Sequence, residues 1–128
     1  MIKATQPDGN AAEPSPIERA NLECWNRDAQ AQALRVEVSE EQCFVFPYSH
    51  FAWAGLSRDG KAEALRVSFT THDVHISGRN LRLVLVALQK LSVEWVSARP
   101  ARYQKLATTD AVFIEKIEVE ELSEEPAS

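Results

Sequence analysis

The chain has 128 residues, 45% of apolar type, which is enough for one hydrophobic core and too few for two ordinary domains. Its longest apolar run, Leu83 to Leu88, is far shorter than a membrane helix, and its amino terminus MIKATQPDGN has no apolar signal segment. The expectation is a soluble cytoplasmic protein with no membrane partner. The net charge of −5 is unevenly spread: residues 1–57 carry −4, residues 58–105 carry +5 and residues 106–128 carry −6. The acidic end either keeps the chain soluble or folds back over the basic middle and screens it from anionic partners.

Residues 1–15 are rich in turn-formers without a hydrophobic period and read as a tail, as do the acidic residues 120–128. A single domain over 16–119 remains. Ser15-Pro16-Ile17-Glu18 has the residues of a capping box with proline at the first helical position, which predicts a helix from Pro16 to about Asp28.

From Ala33 the hydrophobic period becomes two. Leu34, Val36 and Val38 alternate with Arg35 and Glu37, a polar SEEQ turn follows, and Cys43 and Val45 resume the alternation. The same pattern returns 31 residues later, ALRVEVSEEQCFVF at 33–46 aligning without gaps on ALRVSFTTHDVHIS at 64–77. In that alignment Cys43 answers to Val74 and Val45 to Ile76. Asp59-Gly60 is a tight-turn signal between the two hairpins, so strands near 33–38, 43–56, 62–70 and 73–78 are expected to form an antiparallel meander. The second strand contains CFVFPYSHFAWA, apolar at odd and even positions alike, which predicts burial on both faces. Pro47 cannot donate to a ladder and predicts a bulge or bend.

Asn80 is a good helix N-cap, and Leu81, Val84, Leu85, Leu88 and Leu91 gather on one side of a helix from Leu81 to about Lys90. A fifth strand at 92–98 and a sixth at 111–119 complete an α+β fold: N-terminal helix, curled four-stranded antiparallel meander, helix, and one or two further strands. The order of these elements resembles a small SH3-like or Sm-like barrel, although the helix is longer than the short turn of such barrels.

The chemistry-bearing residues form no recognisable constellation. His72 and His75, three apart on a strand, point to opposite faces and do not make a metal pair. Tyr48-Ser49-His50 with Asp73 has the residue types of a triad but no nucleophile-presenting turn, and His50 is expected to hydrogen-bond within the domain or to face a shallow pocket beside Tyr48. Cys24 and Cys43 lack CxxC spacing and read as buried reduced thiols. No glycine pattern marks a nucleotide site. The sequence therefore predicts no catalytic residue, no metal and no cofactor.

Two binding surfaces are expected instead. Leu83 and Val86 lie opposite the core-facing stripe of the second helix, and they or the aromatic strand around Phe46 and Tyr48 can join two copies into a homo-oligomer. Alternatively, Arg79, Arg82, Arg99, Arg102 and Lys105, with Tyr103 among them, supply cations and a stacking ring for single-stranded nucleic acid or RNA. The reading that follows is a small non-catalytic, self-associating interaction module, with nucleic-acid binding as the alternative.

Overall fold

The computed structural model describes residues 23–106 and 110–123. The strands are β1 (Trp25–Arg27), β2 (Ala33–Ser39), β3 (Gln42–Pro47), β4 (Phe51–Asp59), β5 (Ala62–Phe69), β6 (His72–Arg79), β7 (Val93–Ser97) and β8 (Phe113–Glu121). One α-helix, α1 (Arg82–Gln89), lies between β6 and β7, and single 3-10 segments occupy Tyr48–His50 and Ala101–Leu106. Two four-stranded sheets result, sheet A in the order β1-β7-β2-β3 and sheet B in the order β4-β5-β6-β8.

Several elements sit close to their expected ranges, but their assembly differs. The expected meander is divided: β2 and β3 stay in sheet A while β4, β5 and β6 build sheet B. Pro47 is where they part, because it ends β3 and the 3-10 turn Tyr48–His50 carries the chain across. Among the described residues the two sheets form no closed barrel. Most of the helix expected over 16–28 lies outside the described residues. Within them, Trp25–Arg27 is a strand that pairs antiparallel with β7. The strand β7 itself inserts beside β2 in parallel, with Arg35 opposite Trp95 and Glu37 opposite Ser97. A parallel neighbour needs a long crossover, and β3 to β6 with α1 supply it.

The core fills the space between the sheets. Leu34, Val36, Phe46, Val93 and Val96 come from sheet A, and Leu65, Val67, Phe69, Val74, Ile76, Ile114 and Ile117 from sheet B. Phe46 stacks on Phe69 at 4.7 Å and ties the layers together. Helix α1 packs beside β4 and β7 and adds Val84, Ala87 and Leu88, all buried, with Leu81 buried at its start. Burying each such large side chain stabilises the fold by about 2 kcal/mol. Gly78 has a steric reason: a Cβ there would run into the Phe113 carbonyl, so glycine lets β8 close on β6.

The aromatic run is not covered on both faces. Phe46 and Tyr48 are buried, whereas Val45 is 62% exposed and Trp53 is 47% exposed. Cys43, expected inside, is also exposed, and only Cys24 is a buried thiol. The cause is the register of β2 on β3. Glu37 pairs with Cys43 and Ser39 with Gln42, so Val38 is an extra residue, a β-bulge. Beyond it Val36 faces Phe44 and Leu34 faces Phe46. A shift of one residue turns every side chain of a strand to the other face, and here it puts phenylalanine inside and Cys43 and Val45 outside.

Candidate functional site

Helix α1 begins with a cap from outside the helix. Asn80 takes a left-handed conformation, φ 58°, and its side chain donates to the Ala111 carbonyl at 2.8 Å. It does not cap the helix as expected. The Leu81 amide instead donates to Glu63 Oε1 at 2.8 Å, and Arg58 donates to Oε2 of the same carboxylate at 3.0 Å. The Leu81 amide holds the Glu63 carboxyl below the usual range against the opposing effect of burial, with further help from Arg58. With this end fixed and Leu81, Val84, Ala87 and Leu88 inside, the opposite face is left to solvent. Leu83 is 50% exposed there and Val86 is 46% exposed.

The basic residues divide between two places. Arg79 ends β6 opposite Phe113, its Nε buried without a hydrogen-bond partner among the described residues, and Arg82 opens α1. Arg99, Arg102 and Tyr103 line an open groove of about 680 Å³ where the pairing of the parallel strands β2 and β7 ends. Past Ser97 the Arg99 amide donates to the Ile114 carbonyl at 2.9 Å, and past Glu37 β2 continues into its hairpin with β3. Arg99 Nη1 donates to Ser97 Oγ and to the Ala98 carbonyl, and Arg102 sits over the Tyr103 ring at 5.0 Å. Glu37, Glu40 and Glu115 line the same groove. Lys105 lies on the adjoining 3-10 segment and is not part of the lining.

A third group sits on the outer face of sheet B. Ser68 Oγ donates to Asp73 Oδ1 at 2.7 Å, Arg66 Nε donates to Oδ2 at 2.9 Å, and Arg66 Nη2 reaches the same oxygen. Arg66 lies over the Trp53 ring at 4.9 Å, with that ring leaning across Gly55. Burial pushes the Asp73 carboxyl up, but the hydrogen bonds of Ser68 and Arg66 and the charge of Arg66 outweigh it and hold the group below its ordinary value. His75 Nε2 meets Glu120 Oε1 at 3.3 Å, and donor atoms of Asp73, His75 and Glu120 lie within 4.8 Å of one another. A cation could find ligands there only beside the guanidinium that already neutralises Asp73. His72 lies apart, engaged by Thr71 Oγ1 and 5.2 Å from the Phe46 ring. Antiparallel pairing about the Thr70–Thr71 turn was the signal for this group, since it brings Ser68 opposite Asp73 and Arg66 opposite His75.

The remaining candidates fall elsewhere. Asp73 hydrogen-bonds Ser68 and Arg66, not Ser49 or His50, so the triad types do not assemble. Tyr48 is a core residue whose hydroxyl donates to the Val93 carbonyl at 2.6 Å, and burial pushes its pKa up to about 12. Phe46 is buried as well, whereas His50 is exposed. The large hydrophobic that this strand exposes is Val45. No protein-family model matches this chain, and neither does any curated protein or solved structure with which it was compared.

Proposed function

We propose that this protein is a small non-catalytic interaction module that self-associates, with the outer face of α1 as one contact. The supporting observation is the half exposure of Leu83 and Val86 on a helix whose inner stripe is complete without them. Each such side chain stabilises a contact by about 1 kcal/mol when its remaining surface is buried, and a two-fold contact pairs the face with itself. Nucleic acid is the weaker reading. Arg99 and Arg102 share their groove with Glu37, Glu40 and Glu115, so a phosphate backbone laid there meets more carboxylates than cations.

Solution mass over a concentration series tests this. The wild type should associate as concentration rises, and Leu83→Glu with Val86→Glu should weaken association while leaving the fold intact. A wild type that stays monomeric at high micromolar concentration, or a double variant that unfolds, counts against the proposal. Salt-sensitive binding of single-stranded oligonucleotides, lost on changing Arg99 and Arg102 to Ala, would favour the alternative.

A further inference from the structure

We infer that β3 is a second, separate self-association site, at which two copies pair antiparallel along its open edge with Val45 opposite the partner's Val45, merging their A sheets into one. The contact adds to the one proposed on α1 and does not depend on it.

The register of β3 determines which of its groups face outward. The Tyr48 amide donates to the Gln32 carbonyl at 3.0 Å, which makes residues 32 and 48 a hydrogen-bonded pair. Hydrogen-bonded and non-hydrogen-bonded pairs alternate in an antiparallel ladder, so Phe46 and Phe44 turn their backbone groups to β2, and Cys43, Val45 and Pro47 turn theirs away. Pro47 fits this alternation, having no N–H to lose. Strand β3 pairs with β2 alone, so the amides of Cys43 and Val45 meet no strand on their side among the described residues.

The other edges are blunted by known devices. Strand β1 has three residues and contains Arg27, β8 carries Glu115, Lys116, Glu118, Glu120 and Glu121, and β4 is irregular at Ala52 and has α1 beside it. Strand β3 has no charged residue, and at its centre Val45 is 62% exposed, the highest value among the exposed large hydrophobics. An unguarded edge is a template for another strand.

A second copy of β3 is complementary to the first. With Val45 opposite the partner's Val45, each Val45 amide donates to the other's carbonyl, and each Cys43 amide donates to the carbonyl of the partner's Pro47. Every outward donor from Cys43 to Pro47 is then used, and the proline stands where no donor of its own is required. On the solvent face Cys43, Val45 and Pro47 of both copies form one apolar strip, bounded on each side by the ion pair of Arg35 and Glu37 at 2.8 Å. On the other face the half-buried Phe44 gains the partner's Phe46 as a neighbour.

The experiment follows amide exchange at Cys43 and Val45 together with solution mass, in wild type and in the Leu83→Glu/Val86→Glu variant, each with and without Val45→Pro. Proline at 45 removes an amide that β2 does not use, so the fold should persist; Val45→Lys, which sets like charges against each other across the two-fold, is the second variant. With the α1 contact removed, exchange at Val45 should slow by about tenfold when protein is raised to about a hundred times the dissociation constant. Adding Val45→Pro or Val45→Lys should then leave a monomer. Exchange at Val45 that is independent of concentration, or a mass that neither Val45 variant changes, would overturn the β3 contact. If the α1 changes leave the mass unaltered while the Val45 changes lower it, the α1 contact fails and β3 stands.

Discussion

The hairpins β2–β3 and β5–β6 both contain Ala-Leu-Arg-Val in their first strand, yet they occupy different environments. Strands β5 and β6 are interior to sheet B, whereas β3 is an edge of sheet A. In the second hairpin Leu65 faces Ile76 and Val67 faces Val74, four buried residues in regular register. In the first, the bulge at Val38 moves the pairing, so Phe44 and Phe46 take the inward places and Cys43 and Val45 the outward ones. Two phenylalanines remove more apolar surface from water than a cysteine and a valine, which favours the bulged register. The position after the repeat sharpens the contrast: Gly78 lets β8 approach β6, and the equivalent Pro47 ends β3 without a neighbour.

The matched arginines teach the same lesson about environment. Arg35 pairs with Glu37 two residues along its own strand and lies 5.9 Å from the Trp95 ring; Arg66 pairs across the hairpin with Asp73 and lies 4.9 Å from the Trp53 ring. Glu37 keeps much of its exposure, whereas the Asp73 side chain is 2% exposed. The same motif therefore makes a surface ion pair in one sheet and an ordered, partly buried cluster in the other.

The comparison can be broken most directly through the core. Phe46→Ala and Ile76→Ala should each destabilise by about 3 kcal/mol, while Val45→Ala should stay within about 0.5 kcal/mol. Urea denaturation at concentrations below self-association reads all three. A Val45→Ala cost equal to that of Ile76→Ala would mean that β3 keeps the register of β6 and that the bulge is misassigned.

A smaller effect separates the two ion pairs. Asp73→Ala should cost about 1–2 kcal/mol, because the Ser68 hydroxyl loses its acceptor while the half-exposed Arg66 recovers water, and Glu37→Ala should cost at most about 0.5 kcal/mol. The pH dependence follows from the lowered pKa of Asp73. The stability it contributes is complete above its unfolded pKa of about 3.9 and is lost as pH falls through the lower folded value. The gap between wild type and Asp73→Asn should therefore narrow on acidification below about pH 4. A gap that widens there would contradict the stabilised carboxylate. Glu63, also lowered, adds to the acid sensitivity of the wild type in the same direction.

Thiol titration gives the smallest and simplest reading. Cys43 should react at once with an aromatic disulfide reagent in the monomer. Cys24 should react only on unfolding, because it is buried, the Ile114 amide donates to its sulfur at 3.3 Å, and burial pushes its pKa up. Two fast thiols would place Cys24 outside the core; none would place Cys43 within it.

Most strand and helix ranges from Ala33 onward were legible because alternation and helical spacing are local properties; the strand expected over 43–56 is instead split at Tyr48–His50 into β3 and β4. So was the face of α1 that carries Leu83 and Val86, since an eight-residue helix needs only one stripe inside. The cluster around Asp73 was half legible: the turn sets Ser68 opposite Asp73, but only the placement of Trp53 and Arg66 above them shows how a carboxylate on an outer face becomes buried.

What the sequence by itself determined is thus a set of local segments, with turns at Glu40–Glu41, Gly60–Lys61 and Thr70–Thr71 between them. Tertiary structure alone decided which strands share a sheet, since β2 accepts β7 as a parallel neighbour far away in the chain. It also decided which face of β3 is inside. Cys-Phe-Val-Phe is apolar at every position, so no local period chooses between its faces, and the choice falls to the larger surface that Phe46 buries against Phe69.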